Sequence, residues 1–532
     1  MNEHDQEKAR AIEESRRLRQ EKKAAAIQGS HQFRAIKGVR DILPPESALW
    51  NRVEQSAREV FDTFGFAEIR LPVLEPTNLF ARSVGQETDI VSKEMYTFID
   101  RPTELRTEPP FGEMPAYVQE IGRLMESGPI PRTESNLGTL KYLIDAEKDI
   151  FPIEEKLTKL DRLTEYLFQL HGFQLGDQVS LRPEATASVV RAYIQHGMQT
   201  LPGNVKLYYT GPMFRRERPQ KGRYRQFYQI GAEVLGTSDA PGIDAEVIEM
   251  LMRLFERLKL KGAVLNINSI GDKNCRPAYV EKLRAELQKV REHLGEDSKR
   301  RIETNPLRVL DSKLESEQGI IEKLPRIAEH LCADCRAHYG EVKRQLGLRG
   351  IAYQENWRLV RGLDYYMRTT FEITALGLGS QNAVCGGGRY DGLVELLGGP
   401  AATKGIGFAI GTDRLVLSLQ EAGEGETQGG PAGKAGGPDV YLAWFGAAAQ
   451  SAAIGLARHL RDAGFVVELP AVEMKFGKSL GLADRLKARH AVIVGDDELA
   501  AGVFTVKRLS DGTQQKLAEA ELFSYLRAAR TA

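Results

Sequence analysis

The chain has 532 residues, enough for roughly three domains, and 42% of them are apolar. Lysines and arginines number 73, as do aspartates and glutamates, so any nucleic acid must be held by local basic patches. Four cysteines are too few for a disulfide framework and indicate a reducing compartment, which predicts a cytoplasmic location. No stretch approaches ~18 consecutive apolar residues, which argues against a membrane-spanning helix.

The N-terminal part of the chain predicts an extension, a helix and an edge strand. Residues 1–33 are charged and rich in alanine, and we expect them to be disordered or to form a lone solvated helix. Apolar residues at helical spacing then run from Trp50 to Phe64. The strand FAEIRLPVLEP contains Pro72, and because proline cannot donate a hydrogen bond, we place this strand at an edge. A helix before an edge strand suggests a dimer interface, although a plain core helix fits the same pattern.

Two later stretches are typical of helical insertions. Residues 103–177 combine prolines with leucines at helical spacing, and residues 275–350 are highly charged. The second stretch carries one CxxC motif, formed by Cys332 and Cys335 and flanked by His330 and His338. These four side chains are all of types that can bind a metal. Zinc sites usually join two separated pairs, whereas these four lie within nine residues. Two partly buried free thiols are therefore favoured over a zinc site.

Residues 205–236 predict a β-hairpin with an unusual tip. Six arginines and lysines crowd around Glu217 at this tip, and like charges so close repel one another. Such a tip suits a polyanion. Because side chains alternate along a strand, Phe227, Gln229 and Glu233 share one face. The hairpin therefore predicts a floor for a nucleotide and a small polar substrate, and the alternative is a solvated hairpin of a nucleic-acid-binding module.

Junctions elsewhere in the chain offer further polar groups. Glu184 and Thr186 follow the strand VSLRP, where they suit either an ammonium group or a helix cap. Arg361 stands at a glycine break in a predicted strand pair, with Tyr365 and Tyr366 on opposite faces. The three glycines of NAVCGGGRYDGLVELLG would let the backbone approach a ligand closely.

The phosphate-binding motifs that rely on glycine loops are absent. A P-loop ending at residues 477–479 would need glycine where Val472 stands, and Ile410 takes the last glycine position of a GxGxxG pattern. Phosphate binding must therefore rest on arginines such as Arg215 and Arg414, the latter in the first turn of a predicted helix.

Together these stretches resemble the class II aminoacyl-tRNA synthetases, and within them the histidyl-tRNA synthetases. The first helix with FAEIRLP resembles motif 1 of that class, GPMFRRERPQKGRYRQFYQ motif 2 and GIGFAIGTDRLVLSL motif 3. LVRGLDYYMRTTFE and AVCGGGRYDGLVE resemble two blocks peculiar to the histidine enzymes. Five blocks in this order are highly specific.

The resemblance implies an α+β fold with an antiparallel-sheet catalytic core and a C-terminal α/β anticodon-binding domain. It divides the chain into an extension (1–33), a catalytic domain (34–425, with insertions 103–177 and 275–350), a Gly-rich linker (426–437) and the anticodon-binding domain (438–532). In the last domain the residues expected to meet RNA phosphates are Lys475, Lys478, Arg485 and Lys487.

The implied function is a histidine–tRNA ligase that acts as a homodimer. Its partners would be L-histidine, ATP and tRNA(His), with Mg2+ arriving with ATP and no metal-binding motif of the protein itself. The expected catalytic residues are Arg215, Gln229 and Arg361. The expected ATP-binding residues are Arg215, Glu217, Arg223, Phe227 and Arg414. The expected histidine-binding residues are Glu184, Ala185, Thr186, Arg215, Gln229, Glu233, Arg361, Tyr365, Tyr366 and Tyr390.

Within these sets the resemblance implies individual roles. Arg215 and Arg361 would lie on opposite sides of the α-phosphate, and Arg414 would reach the γ-phosphate. The remaining expected contacts are Phe227 with adenine beside Glu217, Glu184 and Thr186 with the amino group, Gln229 with the carboxylate, Glu233 and Tyr366 with the imidazole, and Tyr365 and Tyr390 in the pocket wall.

The chain departs from the family pattern at two of these positions. Ala185 stands where the family often has glycine, and Asp413 stands where motif 3 commonly has glutamate, so its reach to metal or phosphate would be shorter. Two rivals remain, a regulatory subunit of histidine biosynthesis and a non-catalytic tRNA sensor. The presence of Arg215, Arg361 and Arg414 together argues against both.

Overall fold

The structure, a computed structural model, describes residues 33–85, 88, 90–100, 177–378, 382–423 and 437–531. The predicted extension, the 103–177 insertion and the linker therefore lie outside the described residues, except for Phe33, Asp177 and Gly437.

The helices are α1 (Glu46–Thr63), α2 (Thr77–Val84), α3 (Thr186–Gln195), α4 (Pro241–Arg257), α5 (Arg276–Lys289), α6 (Glu296–Thr304), α7 (Glu315–Ile321), α8 (Ala333–Leu348), α9 (Leu393–Leu396), α10 (Thr412–Glu421), α11 (Ala447–Asp462), α12 (Phe476–Arg485), α13 (Asp496–Ala501) and α14 (Glu519–Thr531). The strands are β1 (Ala67–Glu68), β2 (Leu74–Pro76), β3 (Tyr96–Asp100), β4 (Asp177–Leu181), β5 (Val205–Phe214), β6 (Gln226–Gly236), β7 (Val264–Ser269), β8 (Gln354–Glu355), β9 (Met367–Thr374), β10 (Ala383–Arg389), β11 (Lys404–Gly411), β12 (Val440–Trp444), β13 (Val467–Glu468), β14 (His490–Val494), β15 (Phe504–Arg508) and β16 (Gln514–Leu517).

The largest sheet has eight strands in the order β1-β5-β6-β11-β10-β9-β7-β8. Its six central strands are antiparallel neighbours, and only the short edge strands β1 and β8 pair in parallel. The predicted antiparallel core is therefore confirmed, and so is the hairpin, with Val205 opposite Leu235 and Phe214 opposite Gln226.

The two faces of this sheet carry different cores. Ile230, Ala232 and Val234 of β6 pack against α1, α4 and α8 in the first core. The odd-numbered residues point the other way, where Leu235 joins a second core that includes helix α5 and the tyrosines of the candidate site. The period of two along a strand thus places β6 between a helix layer and the site.

The predicted strand FAEIRLPVLEP is two short strands in two different sheets. β1 lies at the edge of the large sheet, and β2 at the edge of the three-stranded sheet β2-β4-β3. Between them, Arg182 Nη1 donates to the carbonyl oxygens of Leu71 at 2.9 Å and Pro72 at 3.2 Å. A buried arginine therefore replaces a neighbouring strand at this point, and the edge position expected from the proline is confirmed.

The predicted strand pair around Arg361 is wrong in its first half. Only Met367–Thr374 is a strand, and residues 356–366 form turns that cross the end of the sheet. Helices α5 to α8 confirm the helical character of residues 275–350. Among the helices that the structure describes, none combines the length and apolarity needed to cross a bilayer.

The C-terminal region folds as a separate five-stranded sheet in the order β13-β12-β14-β15-β16. β12 pairs in parallel with β13 and β14, as the predicted alternation of strand and helix requires, and β15 and β16 extend the sheet antiparallel. Helices α11 and α14 cover one face and α12 the other.

Candidate active site

A cavity of about 300 Å3 opens at the end of the large sheet, beside the basic hairpin and the start of α3. It brings together residues from four distant parts of the chain. The predicted site residues that line it are Glu184, Thr186, Arg215, Glu217, Arg223, Phe227, Gln229, Arg361, Tyr365, Tyr366 and Arg414.

Arg215 stands at the end of β5, where a backbone oxygen and an aromatic ring fix it. Its Nε donates to Pro183 O at 3.0 Å, and its guanidinium lies 5.1 Å from the ring centre of Phe227. Glu217 lies between Arg215 and Arg223, with N–O distances of 3.7 Å and 3.3 Å. One carboxylate thus holds two cations at the hairpin tip and leaves positive charge uncompensated.

Arg361 faces the same cavity from the turns before β9. Its Nη1 donates to Glu372 Oε2 at 3.1 Å, and its guanidinium lies 5.8 Å from the ring centre of Tyr366. A Cβ atom at Gly386 would collide with this guanidinium. The first glycine of the GGG run therefore makes room for a side chain of the protein, which is a different use from the predicted approach of backbone to ligand.

Arg414 is the third cation of the cavity and lies in the first turn of α10. Its Nε donates to Gly222 O and its Nη1 to Ala383 O, both at 3.1 Å. Burial lowers the pKa of Arg414, and the neighbouring Arg223 adds to that effect. Two carbonyl oxygens hold this guanidinium in place without neutralising it.

Glu184 takes the helix-capping role that its sequence position allows, and ammonium binding stays a prediction. Its two oxygens accept the backbone N–H groups of Thr186 at 2.7 Å and Ala187 at 2.9 Å, which caps α3. Glu184 and Thr186 also line the cavity, whereas the buried Ala185 does not. Burial raises the pKa of the Glu184 carboxyl, and the backbone hydrogen bonds oppose that shift.

Glu233 and Tyr390 lie behind the cavity wall rather than in its lining. Glu233 Oε1 accepts the hydroxyl of Thr186 at 2.7 Å, and Oε2 accepts the hydroxyl of Tyr390 at 2.6 Å. The carboxyl lies so close to Gly407 that a Cβ there would collide with it. Burial raises the pKa of Glu233 to about 8, so most of this carboxyl is neutral at pH 7.

Tyr365 and Tyr366 share the cavity, so their predicted placement on opposite faces is wrong. They precede β9 in a turn, where the alternation of a strand does not apply, and their ring centres are 4.7 Å apart. Tyr390 packs edge-on against Tyr365 at 5.8 Å. The three rings form one aromatic wall.

Asp413 lines the cavity, but its oxygens already have partners. Oδ2 accepts the Tyr228 N–H at 3.0 Å, and Oδ1 accepts Arg40 Nη2 at 3.1 Å. Arg40 also pairs with Glu46, and no local pattern predicts its contact with the distant Asp413. Asp413 therefore ties α10 to the hairpin and to the segment before α1.

Six buried polar atoms of the residues that line this cavity have no aligned hydrogen bond within the part of the chain that the structure describes. They are Tyr209 Oη, Glu217 Oε2, Arg223 Nε, Gln229 Oε1, Arg361 Nε and Tyr365 Oη, of which Glu217 Oε2 and Arg223 Nε form an ion pair at 3.3 Å. Leaving a buried polar atom unpaired costs about 1–3 kcal/mol, so such atoms at one site indicate groups kept for a ligand.

A second cavity, of about 730 Å3, adjoins the first and shares Arg215, Arg223 and Arg361 with it. The helical insertion adds Arg301, Arg308 and Lys313 to its wall. The positive charge around the first cavity thus continues outward, as a channel for a larger anionic molecule would require.

The predicted histidine neighbours of the CxxC motif do not join it. His338 Nε2 lies 3.1 Å from Asp239 O, and His330 lies near Lys282. Cys332 and Cys335 instead meet Asp272 and Cys275. In the C-terminal domain, the basic side chains predicted to meet RNA are all exposed on or beside α12, namely Lys475, Lys478, Arg485 and Lys487.

Comparisons with known proteins agree with this architecture. The family described as Histidyl-tRNA synthetase matches residues 152–415, and the Anticodon binding domain matches residues 439–529. The chain is 46% identical to the Histidine--tRNA ligase of Solibacter usitatus over 93% of this chain and 99% of that protein. It is also 46% identical to that of Koribacter versatilis, over 93% and 96%. The solved apo histidyl-tRNA synthetase of S. aureus shares 31% identity with a TM-score of 0.65, covering 93% of this chain and 100% of that one.

The large antiparallel sheet and the neighbouring helix α10 bring arginines to one cavity, Arg215 from the hairpin and Arg414 from α10. This arrangement is that of a class II aminoacyl-tRNA synthetase. Within that class, the chain belongs to the histidyl-tRNA synthetase family.

Replacing Glu233 with glutamine tests the neutral state of this carboxyl. Its pKa rises from the ordinary 4.5 to about 8 on folding. The contribution of the Glu233 carboxyl to stability is therefore fully present below pH 4.5 and is lost as the pH rises to about 8. Glutamine is neutral throughout, so the melting temperature of Glu233→Gln should gain a few degrees on the wild type between about pH 5.5 and 8.5.

Differential scanning calorimetry at the two pH values measures this gain. Thr186→Ser keeps the hydroxyl donor to Glu233 and should retain the pH dependence of the wild type. A gap between Glu233→Gln and wild type that does not change with pH would contradict a neutral Glu233.

Proposed function

We propose that this chain activates L-histidine with ATP and transfers the histidyl group to the 3′ end of tRNA(His). The observation that carries the proposal is the convergence of Arg215, Arg361 and Arg414 on one cavity whose floor is Gln229 and whose wall is aromatic. Charge of this kind suits a triphosphate, and the adjacent pocket suits a small polar amino acid.

In the first step, an oxygen of the histidine carboxylate attacks the α-phosphorus of ATP and the bond to pyrophosphate breaks. Two anions must approach each other, so cations on both sides of the α-phosphate lower the barrier. Arg215 and Arg361 both line the cavity, and each is fixed by an existing partner. Arg414 takes the far end of the triphosphate, and Phe227 stacks on adenine.

The amino-acid pocket reads histidine through groups already in place. Glu184 and Thr186 hold the ammonium group, and Gln229 offers its unpaired Oε1 beside the reacting centre. Tyr366 contacts the imidazole from the cavity lining, and Glu233, behind that lining, fixes the hydroxyls of Thr186 and Tyr390 through its two oxygens. A different side chain would leave these buried groups unpaired, which gives the pocket its selectivity.

Mg2+ fits the phosphate end of this cavity. Glu217 and Glu372 both line it and supply the hard oxygen ligands that Mg2+ prefers, and Glu217 Oε2 lacks an aligned hydrogen bond among the described residues. Bound with ATP, the ion would neutralise charge on the leaving pyrophosphate.

The tRNA would contact the chain in two places. Its 3′ end reaches the adenylate through the second, basic cavity, and its anticodon meets the exposed basic residues of α12. Such an enzyme works where tRNA and ATP are, which supports the cytoplasm.

We further propose that the enzyme is a homodimer. Among the residues that the structure describes, none covers one apolar face of the three-stranded sheet, where Leu74 is 49% and Phe98 is 45% exposed. Leu181 lies between Leu74 and Tyr96, and Val179 lies beside Phe98 on the same face. A continuous apolar face of this kind is typical of a surface that a second copy covers.

ATP–pyrophosphate exchange tests the activity directly. We expect exchange with histidine and ATP, far weaker exchange with other amino acids, and then transfer of labelled histidine to tRNA(His). Absence of exchange under conditions where histidine still binds would favour the regulatory subunit over the enzyme.

Arg361→Ala should slow histidine-dependent exchange roughly 100-fold or more, because a fixed cation beside the α-phosphate is lost. The KM for histidine should change little. Arg361→Lys keeps the charge without the planar fork, so its rate should fall between the two. Exchange near the wild-type rate in Arg361→Ala would refute the role.

Gly386→Ala reaches the same guanidinium from the backbone. The added methyl group collides with the flexible end of Arg361, so we expect a folded protein in which Arg361 is displaced and exchange is slowed. Gly392→Ala adds a methyl group with no heavy atom nearby and is the matched control. Equal exchange rates in the two variants would contradict the proposed position of Arg361.

A charge on the apolar face tests the dimer. Light scattering should give twice the 59.2 kDa of one chain for the wild type and a shift toward the monomer for Phe98→Glu. Leu348→Glu places the same charge on another exposed leucine, on α8, and should remain dimeric. A dimeric Phe98→Glu protein would place the interface elsewhere.

A further inference from the structure

Four side chains that play no part in the site above meet beside the helical insertion. Asp272 and Cys275 lie between β7 and α5, and Cys332 and Cys335 lie at the start of α8. The carboxylate oxygen and the three sulfur atoms all lie within 4.8 Å of one another. We propose that these four residues bind one zinc ion.

The four residues supply two separate ligand pairs, whereas a single CxxC motif supplies only one. They form a D-x-x-C pair and a C-x-x-C pair from distant parts of the sequence, and zinc sites usually join two such pairs. The fold supplies the second pair that the CxxC motif lacks in the sequence.

The distances suit a tetrahedral ion. With Zn–S bonds of ~2.3 Å, neighbouring ligand atoms are about 3.7 Å apart. Cys275 Sγ and Asp272 Oδ1 are already 3.5 Å apart, and small side-chain rotations bring the other atoms onto the same ion. Gly271 has a φ of 66°, and a Cβ there would lie 2.8 Å from Cys275 Sγ, so glycine leaves room for the sulfur.

The four residues lie at well-ordered positions of the fold. Cys275 and Cys332 are the residues that precede the first turns of α5 and α8, so the backbone of two helix N-termini fixes where their side chains begin. Arg368 Nη2 lies 3.7 Å from Asp272 Oδ2 and partly offsets the net charge of −2 that three thiolates, one carboxylate and Zn2+ would have. Three of the four residues are buried, and the partly exposed Cys332 gives the ion a route in.

The ion would join the insertion to the candidate active site. Arg276 follows Cys275 and donates its Nη1 to Tyr366 O at 2.5 Å, and the Arg368 N–H donates to Gly271 O at 2.7 Å. Binding at the cluster therefore fixes the loop against which Tyr366 rests, and we expect its loss to lower the melting temperature by several degrees.

Metal analysis of the full-length protein, purified with a thiol reductant and washed with a weak chelator, tests the proposal. We expect about one zinc per chain in the wild type and at least a tenfold loss in Cys332→Ser, whose side chain is partly exposed and tolerates the change. Cys385→Ser replaces the one cysteine outside the cluster and should keep its zinc.

Cobalt reconstitution of the reduced, metal-stripped wild type does not depend on how any variant folds. Sulfur-to-cobalt charge-transfer and tetrahedral d–d bands, displaced by one equivalent of zinc, would support the site. Three outcomes would overturn it: reduced wild type that takes up neither metal, Cys332→Ser that retains full zinc, or a Cys332–Cys335 disulfide without metal in freshly isolated protein.

Discussion

The rest of this structure depends on holding three guanidinium groups around one small cavity. Arg215, Arg361 and Arg414 are like charges that line one cavity, so they repel one another, and burial lowers the pKa of Arg414. The fold meets this cost with fixed oxygen atoms: carbonyls hold Arg215 and Arg414, and Glu372 holds Arg361. These partners orient the cations, so the proposed triphosphate would find them aligned before it binds.

Glycine makes that arrangement possible without forming a phosphate loop. Gly386 lets Arg361 lie flat on β10, and Gly407 lets the Glu233 carboxyl lie against β11. Arg361 and Glu233 thus occupy the space that a Cβ atom would fill if Gly386 and Gly407 were any other residue. In the proposed function, selectivity and phosphate binding both depend on side chains that pack directly on glycines of β10 and β11. Because these glycines make room for side chains and not for a phosphate, the glycine-rich strands match no nucleotide-binding loop motif.

Local patterns predicted the parts of the fold that local physics controls. The period of two placed Gln229 and Glu233 on one face of β6, and the apolar stripe placed α1. Contacts between distant segments stayed out of reach. No sequence pattern predicts the contact between Arg40 and Asp413. None indicates that the segment holding Tyr365 and Tyr366 is a loop and not a strand. The second metal-binding pair was missed for the same reason, since only the folded chain brings it to the first.

Phosphate binding and amino-acid recognition are supported by different parts of the protein. The hairpin and α10 fix two of the cations through contacts within the large sheet. Tyr366, in contrast, rests on Arg276, at the start of the helical insertion. In the proposed function, the hairpin and α10 therefore set the positions of Arg215 and Arg414, whereas the shape of the tyrosine wall is coupled to the packing of the insertion. A change in the insertion can then alter the proposed amino-acid pocket and leave the contacts of these two arginines intact.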